Sequence, residues 1–389
     1  MFSVLGFGSQ KPHDFHATEY LVIAGGGGSG GGSGYRRVGE DRTDYGLKVD
    51  NITSRDGTRG TEVDGIVKVN TTAHFIPPSG TTAERGSRGR GIIYAGYAPA
   101  QTLNIDYLTI ATLGNATQFG SDPTPSMQMG ANSSSTRMVF GGGSTPSVTQ
   151  CRYVEITQTG QSMEFANLTT TRRGTGCASN GVRGFFSGGA GPGTPGHEQG
   201  KIIDYVNIAT KANGINFGDL SLSRRQGAGL GSPTRGVFTG GYLHASPYLR
   251  YNVIDYITMS SEGNAIDFGD LTSIRGAIGA GSNATRGFIP GGTTADSTTN
   301  TNVIDYLTIS STGNAQDFGD LSVTLHNTGV CPSQTRAVFA GGYSGPTNTN
   351  VISYVEIATT GDSQNFGDLT AGRSAGNDGA SSDSHGGLG

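Results

Sequence analysis

Two residue types recur in this sequence at spacings that could do chemistry, arginine and tyrosine. Arg90, Arg137, Arg183, Arg235, Arg286 and Arg336 each open a run of the Thr-Arg-Gly-Val-Phe-Thr-Gly-Gly type, and Tyr107, Tyr153, Tyr205, Tyr256, Tyr306 and Tyr354 follow them. Six guanidinium groups at equivalent places could form a cationic ring that attracts anionic glycans. Asp204, Asp255, Asp305, Asp219, Asp270 and Asp320 recur with the same period, however. A planar guanidinium grips a carboxylate through two parallel N–H···O bonds, so the favoured reading is structural: each arginine pairs with an aspartate and pins strands together.

A second set of candidates breaks the repeat. Every step from the tyrosine to the following Phe119, Phe165, Phe217, Phe268, Phe318 or Phe366 is 12 residues, and each of the five steps from such a phenylalanine to the arginine that opens the next repeat is 18. Only the arginine-to-tyrosine step varies, running 17, 16, 22, 21, 20 and 18. Insertions that map to one connection emerge on one face of a repeat assembly, and that face is often the binding face. In the fourth repeat the connection reads Tyr242-Leu-His-Ala-Ser-Pro-Tyr-Leu-Arg-Tyr251. Exposed Tyr and Arg are enriched at protein interfaces and suit sugar platforms, although the loop could also pack on itself. The candidate contact residues are Tyr97, His197, Tyr242, His244, Tyr248, Arg250, Tyr251 and Tyr343.

Other chemistries find no complete set. No paired carboxylates interrupt the pattern, no Ser/His/Asp set stands out, and His197, His244 and His326 are single histidines, so no catalytic residue is assigned and no enzyme is expected. His13-Asp-Phe-His16 lacks further ligands, and the Phe-Gly-Asp-Leu tetrads lack the closely alternating oxygens of a calcium loop; no metal and no cofactor are expected. Gly25–Gly34 follows a strand-like Glu19–Ala24, but no amphipathic helix and no Gly-Lys-Ser/Thr follow to hold a phosphate. Cys151, Cys177 and Cys331 lie in separate repeats and read as buried free thiols. A net charge of −4 offers no footprint for nucleic acid, and no apolar run is long enough to insert in a membrane or to make a signal peptide.

The elements that must position these residues are strands. Glycine is 67 of 389 residues, and the Gly/Ser/Thr/Asn-rich composition argues for many short strands and turns. In the fourth repeat four candidates can be marked, Arg225–Gly231, Arg235–Gly241, Val253–Met259 and Ala265–Phe268. Four antiparallel strands in about fifty residues make one propeller blade. The first strand is small (Gln226-Gly-Ala-Gly-Leu), as crowding at an axis requires, while Phe140, Phe186, Phe238 and Phe339 with Ile254 and Tyr256 supply faces that stack blade on blade. The first repeat lacks its small strand and Arg373-Ser-Ala-Gly-Asn-Asp-Gly-Ala stands unpaired at the end. The expected fold is therefore all-β, a six-bladed propeller over residues 90–389 closed by the C-terminal strand, after a Gly-rich segment over residues 1–89.

The order of small strand, Gly-Gly strand, Tyr strand and aromatic strand resembles the kelch repeat. The matching residues are Arg172, Arg224, Arg275 and Arg373, the pairs Gly188-Gly189, Gly240-Gly241, Gly291-Gly292 and Gly341-Gly342, and the tyrosines above; Phe217, Phe268, Phe318 and Phe366 stand where that family has tryptophan. His74-Phe-Ile-Pro-Pro-Ser-Gly-Thr-Thr-Ala-Glu-Arg85 resembles a connector of tail-fibre and appendage proteins of tailed bacteriophages. The array with Asn-Val-Ile-Asp-Tyr and Asp-Phe-Gly-Asp-Leu is similar to repeat-bearing virion proteins of such phages, especially those of marine cyanobacteria. The resemblance implies a virion structural protein, located on the particle surface at a tail or appendage. It implies docking to other virion proteins through the N-terminal segment, a homo-oligomeric state on the particle, and a displayed propeller that meets a host-surface glycan. A head or collar decoration protein and a glycan-active enzyme on a propeller scaffold are the competing readings.

Overall fold

A computed structural model of the chain describes residues 89–98, 100–144, 148–191, 200–243, 249–294, 299–374 and 379–388. The chain divides between Phe75 and Ile76, and all of these residues belong to the second unit. The glycine run, His13, His16 and the connector up to Arg85 lie outside the described residues, as do His197, His244 and Tyr248.

Six four-stranded antiparallel sheets form the blades of a β-propeller. Blade 4 runs from the axis outward through Ala228–Gly231, Arg235–Thr239, Val253–Thr258 and Ile266–Asp270. Each innermost strand touches those of both neighbouring blades, and the circuit returns from blade 6 to blade 1. Blade 1 takes its innermost strand, Ala380–Ser382, from the C-terminus, and it pairs with Arg90–Ala98. Closure thus comes as expected, but seven residues beyond Arg373, which enters the interior instead.

The period-2 alternation of the strands explains the core. In Arg-Gly-Val-Phe-Thr of blade 4, Phe238 packs with Ile203 and Phe217 of blade 3, whereas Val237 packs with Ile289 and Leu307 of blade 5. All six apolar clusters are made this way from two adjacent blades, including Ile93 and Ile110 of blade 1 with Val338 and Phe366 of blade 6. Glycine on the innermost strands answers crowding: a Cβ at Gly229 would stand 2.4 Å from the carbonyl oxygen of Cys177 in blade 3. Cys151, Cys177 and Cys331 are buried free thiols, and burial pushes the Cys151 thiol up to about 12.

The recurring arginines do not pair with the recurring aspartates as expected. Register places Arg235 opposite Thr258, and Asp255 opposite Phe238, three residues away or roughly 10 Å along the strand. Instead each guanidinium lies over the tyrosine of its own blade, 4.7–5.4 Å from the ring centroid. Each Nη1 then donates to a carbonyl of the next blade at 2.8–3.2 Å: Arg90 to Ile156, Arg137 to Ile208, Arg183 to Met259, Arg235 to Ile309, Arg286 to Ile357 and Arg336 to Ile110. The six make a closed circuit of staples. This leaves no free cationic ring.

The buried carboxylates belong to the other arginines. Asp204, Asp255, Asp305 and Asp106 pair with Arg172, Arg224, Arg275 and Arg373, all almost wholly buried. Burial pulls the Arg172, Arg224 and Arg373 pKa values down, and the facing carboxylate opposes that pull. Blade 2 differs, with Arg152 at the aspartate position, Ser126 at the arginine position and Asp122 3.1 Å from Arg152. Blade 6 discards both, for Leu325 and Ser353 occupy those places. The remaining predicted partners, Asp219, Asp270 and Asp320, end outer strands, where their backbone N–H groups donate to Asn264, Asn314 and Asp362 of the next blade.

The two ends of the ring differ. At the end where innermost and second strands turn, Asp383–Leu388 lies across the axis. His385 Nε2–H donates to Ser133 O at 2.8 Å while its Nδ1 accepts from Gly387 N at 3.1 Å, so the imidazole is the neutral Nε2–H tautomer. A Cβ at Gly387 would stand 1.7 Å from Ser179 O. Behind this plug the channel retains about 30 Å³, room for about one water.

Candidate functional site: the loop-face mouth

The opposite end carries all six variable connections. Each leaves the second strand at a Gly-Gly step, or at Ala95-Gly96 in blade 1. Gly240 has φ +51°, and its Cβ would meet Arg275 O of the next blade at 2.7 Å; Gly241 N donates to that same oxygen at 3.0 Å. The Gly-Gly pair is therefore an inter-blade joint. The residue after it bridges to the residue that precedes the innermost strand: Tyr97 to Ser374, Ser144 to Met127, Ala190 to Arg173, Tyr242 to Arg225, Thr293 to Gly276, and Tyr343 to His326.

Inside these bridges runs a collar of backbone hydrogen bonds. Gly174 N donates to Gln128 O, Gln226 N to Gly174 O, Ala277 N to Gln226 O and Asn327 N to Ala277 O, at 2.7–2.9 Å. The five residues have φ between +52° and +66°, which turns each chain from the loop face down into its innermost strand. This is why the first strand of blade 4 begins at Ala228 and not at Arg225 as the sequence pattern implies. Chains joined by such bonds lie roughly 5 Å apart, so the five described residues curve round a mouth about 10 Å across from backbone to backbone.

Six-fold regularity ends with the backbone. Between blades 6, 1 and 2 a depression of about 420 Å³ is lined by Tyr97, Met127, Gln128, His326, Asn327, Tyr343 and Ser374. Asn300 Nδ2 donates to Tyr343 O at 3.2 Å, which turns its Oδ1 toward His326 Nδ1, 2.8 Å away. The neutral imidazole is thereby held as the Nδ1–H tautomer, with Nε2 left as an acceptor. Burial, and then the charge of Arg250, push the His326 pKa down to about 4, so it stays neutral at ordinary pH. Its ring lies 5.1 Å from that of Tyr343.

On blade 4 the hairpin Tyr242–Leu243 and Leu249–Arg250 sets Tyr242 opposite Arg250. The Tyr242 ring has Arg225 5.0 Å from its centroid on one approach and Arg250 5.3 Å on another. Tyr251 holds the base of this loop, its N–H donating to Gly241 O at 2.9 Å. Of the candidate residues, the fold therefore gathers Tyr97 and Tyr343 in one depression, stacks Tyr242 with Arg250, and uses Tyr251 as a tether. Sequence reasoning missed Gln128, Arg173, Arg225, Asn300 and the part played by His326. A signal was available: Arg173, Arg225 and His326 each follow directly on the position of the buried arginine, where blade 5 has Gly276.

Tyrosine faces, amides and an imidazole acceptor can stack on a sugar ring and bond its hydroxyls. Among the described residues no group of three His, Cys, Asp or Glu side chains is placed to hold a metal ion. No protein-family model matches this chain, and no curated protein is similar to it.

Proposed function

We propose that the chain is a structural protein of a tailed-phage virion, of tail-fibre or appendage type, which binds a host-surface glycan through the loop-face mouth and performs no catalysis. The repeat wording and the Pro-Ser-Gly-Thr-Thr-Ala-Glu-Arg connector support the virion part. One observation carries the binding part: on a backbone ring that repeats six times, the aromatic and amide side chains converge on one sector of the mouth. The first described strand begins at Arg90, beside Asp383 at the plugged end, and not at the mouth.

The test is competition. Purified full-length protein, incubated with the bacteria that the parent phage infects, should bind the cells and block adsorption of the particles. Tyr97→Ala with Tyr343→Ala should abolish both effects. A protein that neither binds cells nor slows adsorption would sink this reading, and would favour a decoration role among other virion proteins.

A further inference from the structure

Building on that reading of the mouth, we infer that its ligand is an acidic sugar, a pyranose bearing a carboxylate or sulfate, with Arg173 and Arg225 as the anion-binding pair. The other conspicuous arginines of the ring are committed. Four face buried carboxylates, Arg152 faces Asp122, and six staple one blade to the next. Arg173 and Arg225 are different. Both are half-buried, and neither makes a side-chain hydrogen bond or ion pair with any described residue. Arg225 lies over the Tyr242 ring, and the Nε of each arginine is without an acceptor, as it also is in the carboxylate-paired Arg172, Arg275 and Arg373, but here no carboxylate among the described residues faces the guanidinium. Leaving such a donor unmet is costly unless a ligand meets it.

Their placement fits this role. They occupy the same bridge position in adjacent blades 3 and 4, and the collar bond from Gln226 N to Gly174 O joins the residues that follow them. Arg250, on the loop of blade 4, adds positive potential that reaches His326 across the mouth. Among the described residues no Asp or Glu stands on the six bridges or lines the depression, although the chain as a whole carries a net charge of −4. Among the described residues one side of the mouth is thus cationic, and the other presents Tyr97, Tyr343 and the His326 acceptor. A pyranose on the tyrosine side would direct its hydroxyls at Gln128, Asn327 and His326 Nε2, and its acidic group at the guanidinium pair.

The experiment uses the full-length protein and calorimetric titration at low salt. The probes are tetrasaccharides of alginate and of a sulfated galactan, α2,3-sialyllactose, neutral maltotetraose and poly-glutamate. At least one acidic saccharide should bind about tenfold or more tightly than maltotetraose, weakening as salt is raised. Arg173→Gln and Arg225→Gln should each weaken that binding by about tenfold and leave the melting temperature unchanged. Equal binding of the neutral sugar, equal binding of poly-glutamate, arginine variants that bind like the parent, or no binding of any acidic probe would each overturn the inference. Cell binding tells the two readings apart. If the protein coats cells but the arginine variants coat them as well, the acidic-sugar assignment falls and attachment stands; if the parent protein does not coat cells, attachment itself falls.

Discussion

The two ends of this ring are built on the same six blades and treat their axis in opposite ways. At the plugged end, Asp383–Leu388 covers the turns and is tied to the blades by its own side chains: His385 is bonded to Ser133 and Gly387, and Ser382 Oγ to Pro332 O. At the loop end the backbone is just as regular, but the side chains on it differ from blade to blade, and the Nε groups of Arg173 and Arg225 have no acceptor among the described residues. The difference teaches where to look in a repeat protein. Positions that repeat hold the ring; positions at a surface mouth that depart from the repeat are the ones to examine for a partner outside it.

The contrast can be broken most severely at the plugged end. Deleting Arg373–Gly389 removes the innermost strand of blade 1, the plug and the partner of Asp106, and should abolish a cooperative thermal transition. A melting temperature equal to that of the parent would refute closure by this tail. Next in size is the buried pair of blade 5. Arg275→Leu strands Asp305 in the interior and should cost about 3–5 kcal/mol in denaturant titration. Adding Asp305→Ser should recover most of that loss, because blade 6 is already stable with Leu325 and Ser353 at those places. A double variant no better than the single one would show that the pair has a role beyond mutual neutralisation.

Acid should act at both ends through the same chemistry. Burial holds His385 at about 4 against an ordinary 6.5, so protons bind the unfolded chain more readily than the folded one. Its stabilising effect is complete above about pH 6.5 and drains away as pH falls toward 4, by ~3 kcal/mol at most. His385→Gln should flatten that part of the stability curve relative to the parent; an unchanged slope would mean that the plug opens at no cost. The smallest effect belongs to the mouth. Arg173→Gln and Tyr97→Ala should change unfolding free energy by no more than about 0.5 kcal/mol while altering binding, and a larger loss would make these residues part of the scaffold.

The period of about fifty residues, the glycine-rich first strand and the aromatic second strand were sufficient to read six blades and their closure. Each of those features reports an interaction that every blade repeats, so its trace recurs along the chain. The arginine partners were misassigned for a corresponding reason. Arg235 and Asp255 share a period, but antiparallel register sets them three residues apart, and the nearer acceptor is a carbonyl in the next blade.

By itself the sequence determined the number of blades, the strand order within each, and the end of the ring from which the variable connections leave. Tertiary structure alone decided which of their residues meet. Tyr97, Gln128, His326 and Tyr343 are brought to one depression only because the last blade closes on the first, and that the Nε groups of Arg173 and Arg225 find no acceptor among the described residues is visible only in the folded ring. Periodicity records what is common to the repeats. A binding site is made from what is not, and closure of the ring is what gathers those exceptions around a single axis.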